Sequence, residues 1–245
     1  MARVVTHVDD LGVDDPFLVE GLPGVGLVGK IAVDHLVSEW EMDHVASCLC
    51  EGIPDVAVYA EGDYAVKPPV RIYADGERDL LALQSDVPVS PEAASGFADC
   101  VTEWFRTNDV TPIFLTGLAA EKEDVPALYG IATGDGGAML ADADVDPPSE
   151  AGMISGPTGG LVAEANERNV DGVGLVVEAN PQFPDPEAAR VLLADAIAPI
   201  AGVEVHTGAL VEQAEEIAQA RERLAQRMQE GSQESSQAQP VGMYQ

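Results

Sequence analysis

Three groups of residues in this sequence have the types and spacing that catalysis or recognition demands. The first is Gly24-Val-Gly26-Leu-Val-Gly29, which satisfies G-x-G-x-x-G behind a short apolar run, with Glu51 closing a later run as a ribose-binding acid would. Read together with Lys30, the same stretch approaches a phosphate-binding loop. Ile31, however, stands where a Ser or Thr hydroxyl would hold magnesium. A nucleotide-binding or ATP-grasp-like enzyme working through the turn at 21–30 is therefore the alternative reading. The favoured one makes Gly21, Gly24, Gly26 and Gly29 the scaffold of a tight strand-to-helix turn, because neither motif brings the rest of its machinery.

The second group is Gly156-Pro-Thr-Gly159-Gly160, a further glycine turn entering a helix in a setting like that of the first. Ser155 just before it is the best candidate nucleophile, yet it lacks the G-x-S-x-G elbow, and a Ser beside glycines reads as a turn former. His7, His35, His44 and His206 are scattered, with no H-x-x-x-H or H-E-x-x-H, so neither a catalytic set nor a metal site is expected. Asp142, Asp144 and Asp146 alternate, but the central Gly and bidentate Glu of a calcium loop are misplaced, and an exposed acidic loop is expected. Cys48, Cys50 and Cys100 form no C-x-x-C. They read as small core residues, with Cys48 and Cys50 on one face of a strand.

The third group is Met243-Tyr244-Gln245: a hydrophobe, an aromatic and a carboxylate behind the polar stretch GSQESSQAQP (231–240). A carboxylate can pair with a Lys or Arg while the ring buries area and its hydroxyl finds a partner. Residues 231–245 have no apolar pattern to fold around and are expected to form a flexible tail.

The elements that position these groups are read from periodicity. Apolar runs at 17–21, 45–50, 56–60, 80–88, 111–117 and 173–180 predict strands, and helical patterns follow the two glycine turns. Ser90 and Asp185 are the expected N-caps of helices starting at Pro91 and Pro186. The unit 80–117 reads strand, helix, strand, as a crossover between parallel strands does. Pro68 and Pro69 place 64–75 at an edge or in a crossing arm. Residues 210–229 form a charged amphipathic helix on which Leu210, Ile217 and Leu224 repeat every seven positions. The expected architecture is a three-layer α/β body over 1–209, with a mixed, mostly parallel central sheet flanked by helices. The C-terminal helix (210–230) and tail (231–245) follow it.

Composition narrows the function classes. Asp and Glu number 43 against 12 Lys and Arg, a net charge of -31, and the acids run through the whole chain. Such a surface repels phosphate backbones and anionic membranes, so no nucleic-acid or membrane partner is expected. Screening in a salt-rich cytoplasm is one account of it. The N-terminus lacks the apolar stretch of a signal peptide, and no run reaches the ~18 apolar residues of a membrane span. A cytoplasmic protein without cofactors is expected.

VEGLPGVGLVGKIAVDHLV (19–37), PPVRIY (68–73) and the segment from GMISGPTGG to LLADAI (152–197) together resemble the archaeal form of the proteasome assembly chaperones, a PAC2-like family. The resemblance spans about residues 11–210, and the acidity makes this chain similar to a haloarchaeal member. It implies a non-enzymatic homo-oligomer whose partners are the α subunits of the 20S proteasome. It also implies that Met243, Tyr244 and Gln245 match a hydrophobic-Tyr-any residue docking motif. The Gln245 carboxylate would then meet a Lys between neighbouring α subunits, with Tyr244 anchoring beside it.

Overall fold

A computed structural model describes residues 3–59, 61–62, 64–120, 125–217 and 219. In chain order the strands are β1 (Arg3–Thr6), β2 (Phe17–Gly21), β3 (Asp43–Leu49), β4 (Val58–Tyr59), β5 (Val66–Lys67), β6 (Val70–Asp75), β7 (Leu80–Ser85), β8 (Thr111–Ala119), β9 (Leu128–Thr133) and β10 (Gly172–Ala179). The helices are α1 (Val28–Glu39), α2 (Ala94–Thr107), α3 (Gly137–Asp142), α4 (Gly156–Glu167), α5 (Pro186–Leu192) and α6 (Ala198–Ala201).

Eight strands form one sheet in the order β1-β3-β6-β7-β2-β8-β10-β9, while β4 and β5 make a separate hairpin. The four central strands, β7, β2, β8 and β10, are parallel, and antiparallel strands flank them on both sides. The sequence shows why. FLVEG, LLALQS and GVGLVVEA are nearly continuous apolar runs, as strands covered on both faces must be, and most of their residues are buried.

Helices complete three layers. On one face α1 and α5 pack around Val19, Ala82, Ile113 and Leu175. On the other, α2 and α4 cover Leu18, Ile72, Leu83 and Phe114. Phe97, Val101, Trp104 and Phe105 put the buried stripe of α2 at helical spacing against that face. Pro199 can donate no N–H, and the chain after α5 widens into a π turn at Leu193–Ile197 just before it. Asp185 caps α5 as expected, accepting from the Ala188 N–H at 3.1 Å.

Several details differ from the sequence reading. The Pro68-Pro69 stretch leads into β6, which lies inside the sheet between β3 and β7 with every residue buried. Both prolines precede the first laddered residue, Val70, so no ladder N–H is lost. Ser90 holds the N-cap position with Pro91 first after it, but its hydroxyl donates to Glu92 and makes no capping bond to the backbone, and the opening turn, Pro91–Ala93, is 3-10 and runs into α2. The strand expected at 56–60 shrinks to the two residues of β4, while β1 had no expectation attached. Cys50 and Cys100 are joined in a disulfide, leaving only Cys48 as a buried thiol. The two cysteines are fifty residues apart in sequence, Cys50 just after β3 and Cys100 within α2. Residues 208–217 are helical. The rest of the expected C-terminal helix and the whole of 231–245 fall outside the described residues.

Candidate functional site

The two glycine turns converge on one side chain, Glu20. Strand β2 is paired with β8 only from Phe17 to Val19. Beyond that point the Glu20 carboxylate enters between the separating strands. It accepts from the Leu115 N–H of β8 at 3.1 Å, from the Leu22 N–H at 3.0 Å and from the Thr158 hydroxyl of α4 at 3.1 Å. It is wholly buried, and burial outweighs the three donors, pushing its pKa from 4.5 up to about 7.

The first turn folds back over the carboxyl ends of the parallel strands. Gly26 has φ +63°, and a Cβ there would lie 2.9 Å from the Ala179 Cβ. Its carbonyl accepts from the Asp185 N–H at 2.8 Å, which fastens the turn to the start of α5. Gly21 lies against Val33, and Gly29 against the carbonyls of Glu20 and Leu22. Gly117 of β8 has no room for a Cβ, because the Val25 carbonyl would be only 2.5 Å away. Gly24, by contrast, is exposed and has open space around it. The chain thus leaves β2 towards β3 and β8 towards β9, and the crevice between them is where open α/β sheets take ligands. Here it is filled by Glu20 and the turn itself.

The nearby cations are already engaged. The Lys30 ammonium contacts Asp34 at 2.9 Å and Asp86 at 3.3 Å. The buried Arg71 guanidinium bonds Asp86 at 2.6 Å, the Tyr73 hydroxyl at 2.9 Å and the Pro68 carbonyl at 2.6 Å. A phosphate would have to displace two carboxylates from these groups. Glu51 sits in an exposed turn after β3, which two strands separate from β2, so it is not placed as a ribose-binding acid.

The second turn is entered from a loop, not from a strand. Gly156 has φ +73° at the start of α4. A Cβ at Gly159 would come within 2.3 Å of the Ile154 carbonyl, and one at Gly160 within 3.2 Å of the Ala94 carbonyl of α2. Gly159 lets the segment before α4 fold against its first turn, and Gly160 lets α4 cross α2 closely. Val28 is buried and Leu27 half-buried, leaving only Val25 exposed.

The glycines stand out in the sequence, whereas the signal for Glu20 is only an acid inside the apolar run FLVEG. The histidines, scattered in sequence, are partly brought together: His7 and His44 share the Ser47 hydroxyl, at 2.7 and 3.1 Å. Burial, followed by the charge of His7, holds His44 below the ordinary imidazole range. Among the described residues no three metal-ligating side chains cluster, and no helix is long and apolar enough to cross a membrane. Met243, Tyr244 and Gln245 lie outside the described residues.

Comparison with known proteins gives a family and a fold. A model described as the PAC2 family matches residues 18–225. An uncharacterized Methanocaldococcus jannaschii protein, MJ0106, is 26% identical over 215 residues, covering 87% of each chain. The crystal structure of Pyrococcus furiosus PbaA, an archaeal homolog of proteasome-assembly chaperone, superposes with a TM-score of 0.77 at 25% identity, covering 94% of this chain and all of that one. Pyrococcus furiosus PbaB, an archaeal proteasome activator, has the same fold, with a TM-score of 0.77 at 23% identity over 91% of this chain and 98% of its own.

Proposed function

The chain belongs to the PAC2 family, and from that premise we propose that it is a non-enzymatic proteasome assembly chaperone or proteasome-binding adaptor. Its Met243-Tyr244-Gln245 segment docks between α subunits of the 20S proteasome. The observation that carries the non-enzymatic reading is the crevice closed by Glu20 and the first glycine turn, with Lys30 and Arg71 held by carboxylates. Recognition then falls to surfaces and termini. The description of PbaA as a homolog of a proteasome-assembly chaperone supports the choice of partner.

A homo-oligomeric body would present several such segments at once, and avidity would strengthen an individually weak contact. The acidity of the whole chain suits a salt-rich cytoplasm. No observation favours the alternative, a nucleotide-dependent enzyme at 21–30.

The test is retention on immobilised α-rings and on complete 20S particles in high salt. Deleting 243–245, or making Tyr244→Ala, is expected to abolish most of the binding while leaving the oligomer size unchanged. Equal retention of intact and truncated protein refutes the docking. Preference for rings over whole particles marks assembly work.

A further inference from the structure

On the α4 side of the sheet, the margin formed by β10 and β9 carries an open groove of about 740 Å³. The strand register builds its floor. Leu118 lies beside Glu178 and Val176 beside Tyr129, while Ile131 stands opposite Gly174, which contributes no side chain. The far wall is the segment 148–154, fixed to the first turn of α4 by the Ile154–Gly159 contact described above. At the rim Met153 is 92% exposed and Leu118 48%. The volume lies in the ~300–1,000 Å³ range of ligand pockets, and an apolar hollow with exposed apolar lips is a recognition feature.

Charge selects the occupant. The lining residues include two carboxylates, Glu150 and Glu178, and no Lys, Arg or His. The chain around them has a net charge of -31. We propose that this groove binds a peptide segment of another protein in which an aliphatic or aromatic anchor is flanked by Lys or Arg. The anchor enters between Leu118, Val176 and Met153, and the flanking cations meet Glu150 and Glu178. An acidic segment would be repelled by both the rim and the field of the whole chain. The contact belongs to the folded body and does not depend on residues 243–245.

The experiment is fluorescence anisotropy with the full chain and a labelled peptide, Lys-Lys-Gly-Leu-Tyr-Gly-Lys-Lys. It is run in ~1 M NaCl, where screening leaves contacts within about 3 Å. Replacing Leu and Tyr of the peptide by Ser, or its lysines by Glu, is expected to weaken binding about tenfold or more. Met153→Ser, Leu118→Lys and Glu150→Lys change exposed positions and should each weaken it at least about fivefold. Val66→Ser, exposed on the β4–β5 hairpin, should leave it unchanged.

Equal binding of the Leu-Tyr and Ser-Ser peptides reduces the effect to general attraction and overturns the proposal. Sedimentation velocity on the same variants decides between occupants: an oligomer that dissociates on Met153→Ser makes the groove a contact between copies. If deleting 231–245 raises peptide affinity about tenfold, the groove is instead the seat of the chain's own end. Either result also overturns the assignment.

Discussion

Glu20 is held in place by geometry and opposed by its surroundings. The Leu22 and Leu115 amides need an acceptor where β2 and β8 part, yet the carboxylate that serves them is wholly buried. Glu20→Ala should leave two buried N–H groups without partners, at about 1–3 kcal/mol each, read as a lower midpoint in denaturant unfolding. The raised pKa gives a second signature. Between pH 4.5 and about 7 the folded state holds a proton that the unfolded state has released. This stabilisation is therefore complete below pH 4.5 and lost as pH rises through about 7, on the order of 3 kcal/mol in all. Unfolding free energies at pH 5 and pH 8 should converge in Glu20→Gln relative to the parent. An unchanged pH slope would contradict the buried ionisation. The residue type could be read from FLVEG, but its partners could not: Leu115 is 95 positions away and Thr158 is 138.

At the scale of elements, the glycine patterns were visible in the sequence, but their motif spelling says nothing about which positions bear on the fold. G-x-G-x-x-G gives Gly24 and Gly26 equal weight. The structure separates them, because Gly24 has open space and an extended backbone whereas Gly26 has positive φ and touches Ala179. Gly24→Ala is therefore expected to be nearly neutral. Gly159→Ala should cost about 1–3 kcal/mol, since the Ile154 carbonyl must move to admit a methyl group. Thermal unfolding of the two variants side by side checks this, and equal losses would show that the contacts do not set the requirement. The same limit explains β6 and the cysteines. Adjacent prolines signal interruption locally, but only the register shows that pairing begins at Val70. Spacing alone could not show that α2 delivers Cys100 to Cys50. The layers themselves were legible, because apolar runs without alternation leave a parallel strand no exposed face.

For the whole molecule the governing quantity is charge. With 43 acids and 12 Lys and Arg, ion pairing cannot balance the chain however well it is arranged. The pairing is already extensive: Arg168 alone bonds Asp99, Glu103 and Glu164, and Lys30 bridges Asp34 and Asp86. Twelve Lys and Arg cannot pair one to one with 43 acids, and the repulsion among carboxylates grows as the Debye length lengthens from ~3 Å in molar salt to ~10 Å at 0.1 M. The unfolded chain relieves that repulsion by expanding, so low salt favours it. Dialysis from molar NaCl to about 0.1 M should begin to unfold the protein, read as loss of helical circular dichroism and a falling thermal midpoint. Screening is non-specific, so molar KCl should protect as well as NaCl. A signal unchanged between molar and 0.1 M salt would mean that packing of the two helix layers on the sheet outweighs the full charge of the surface.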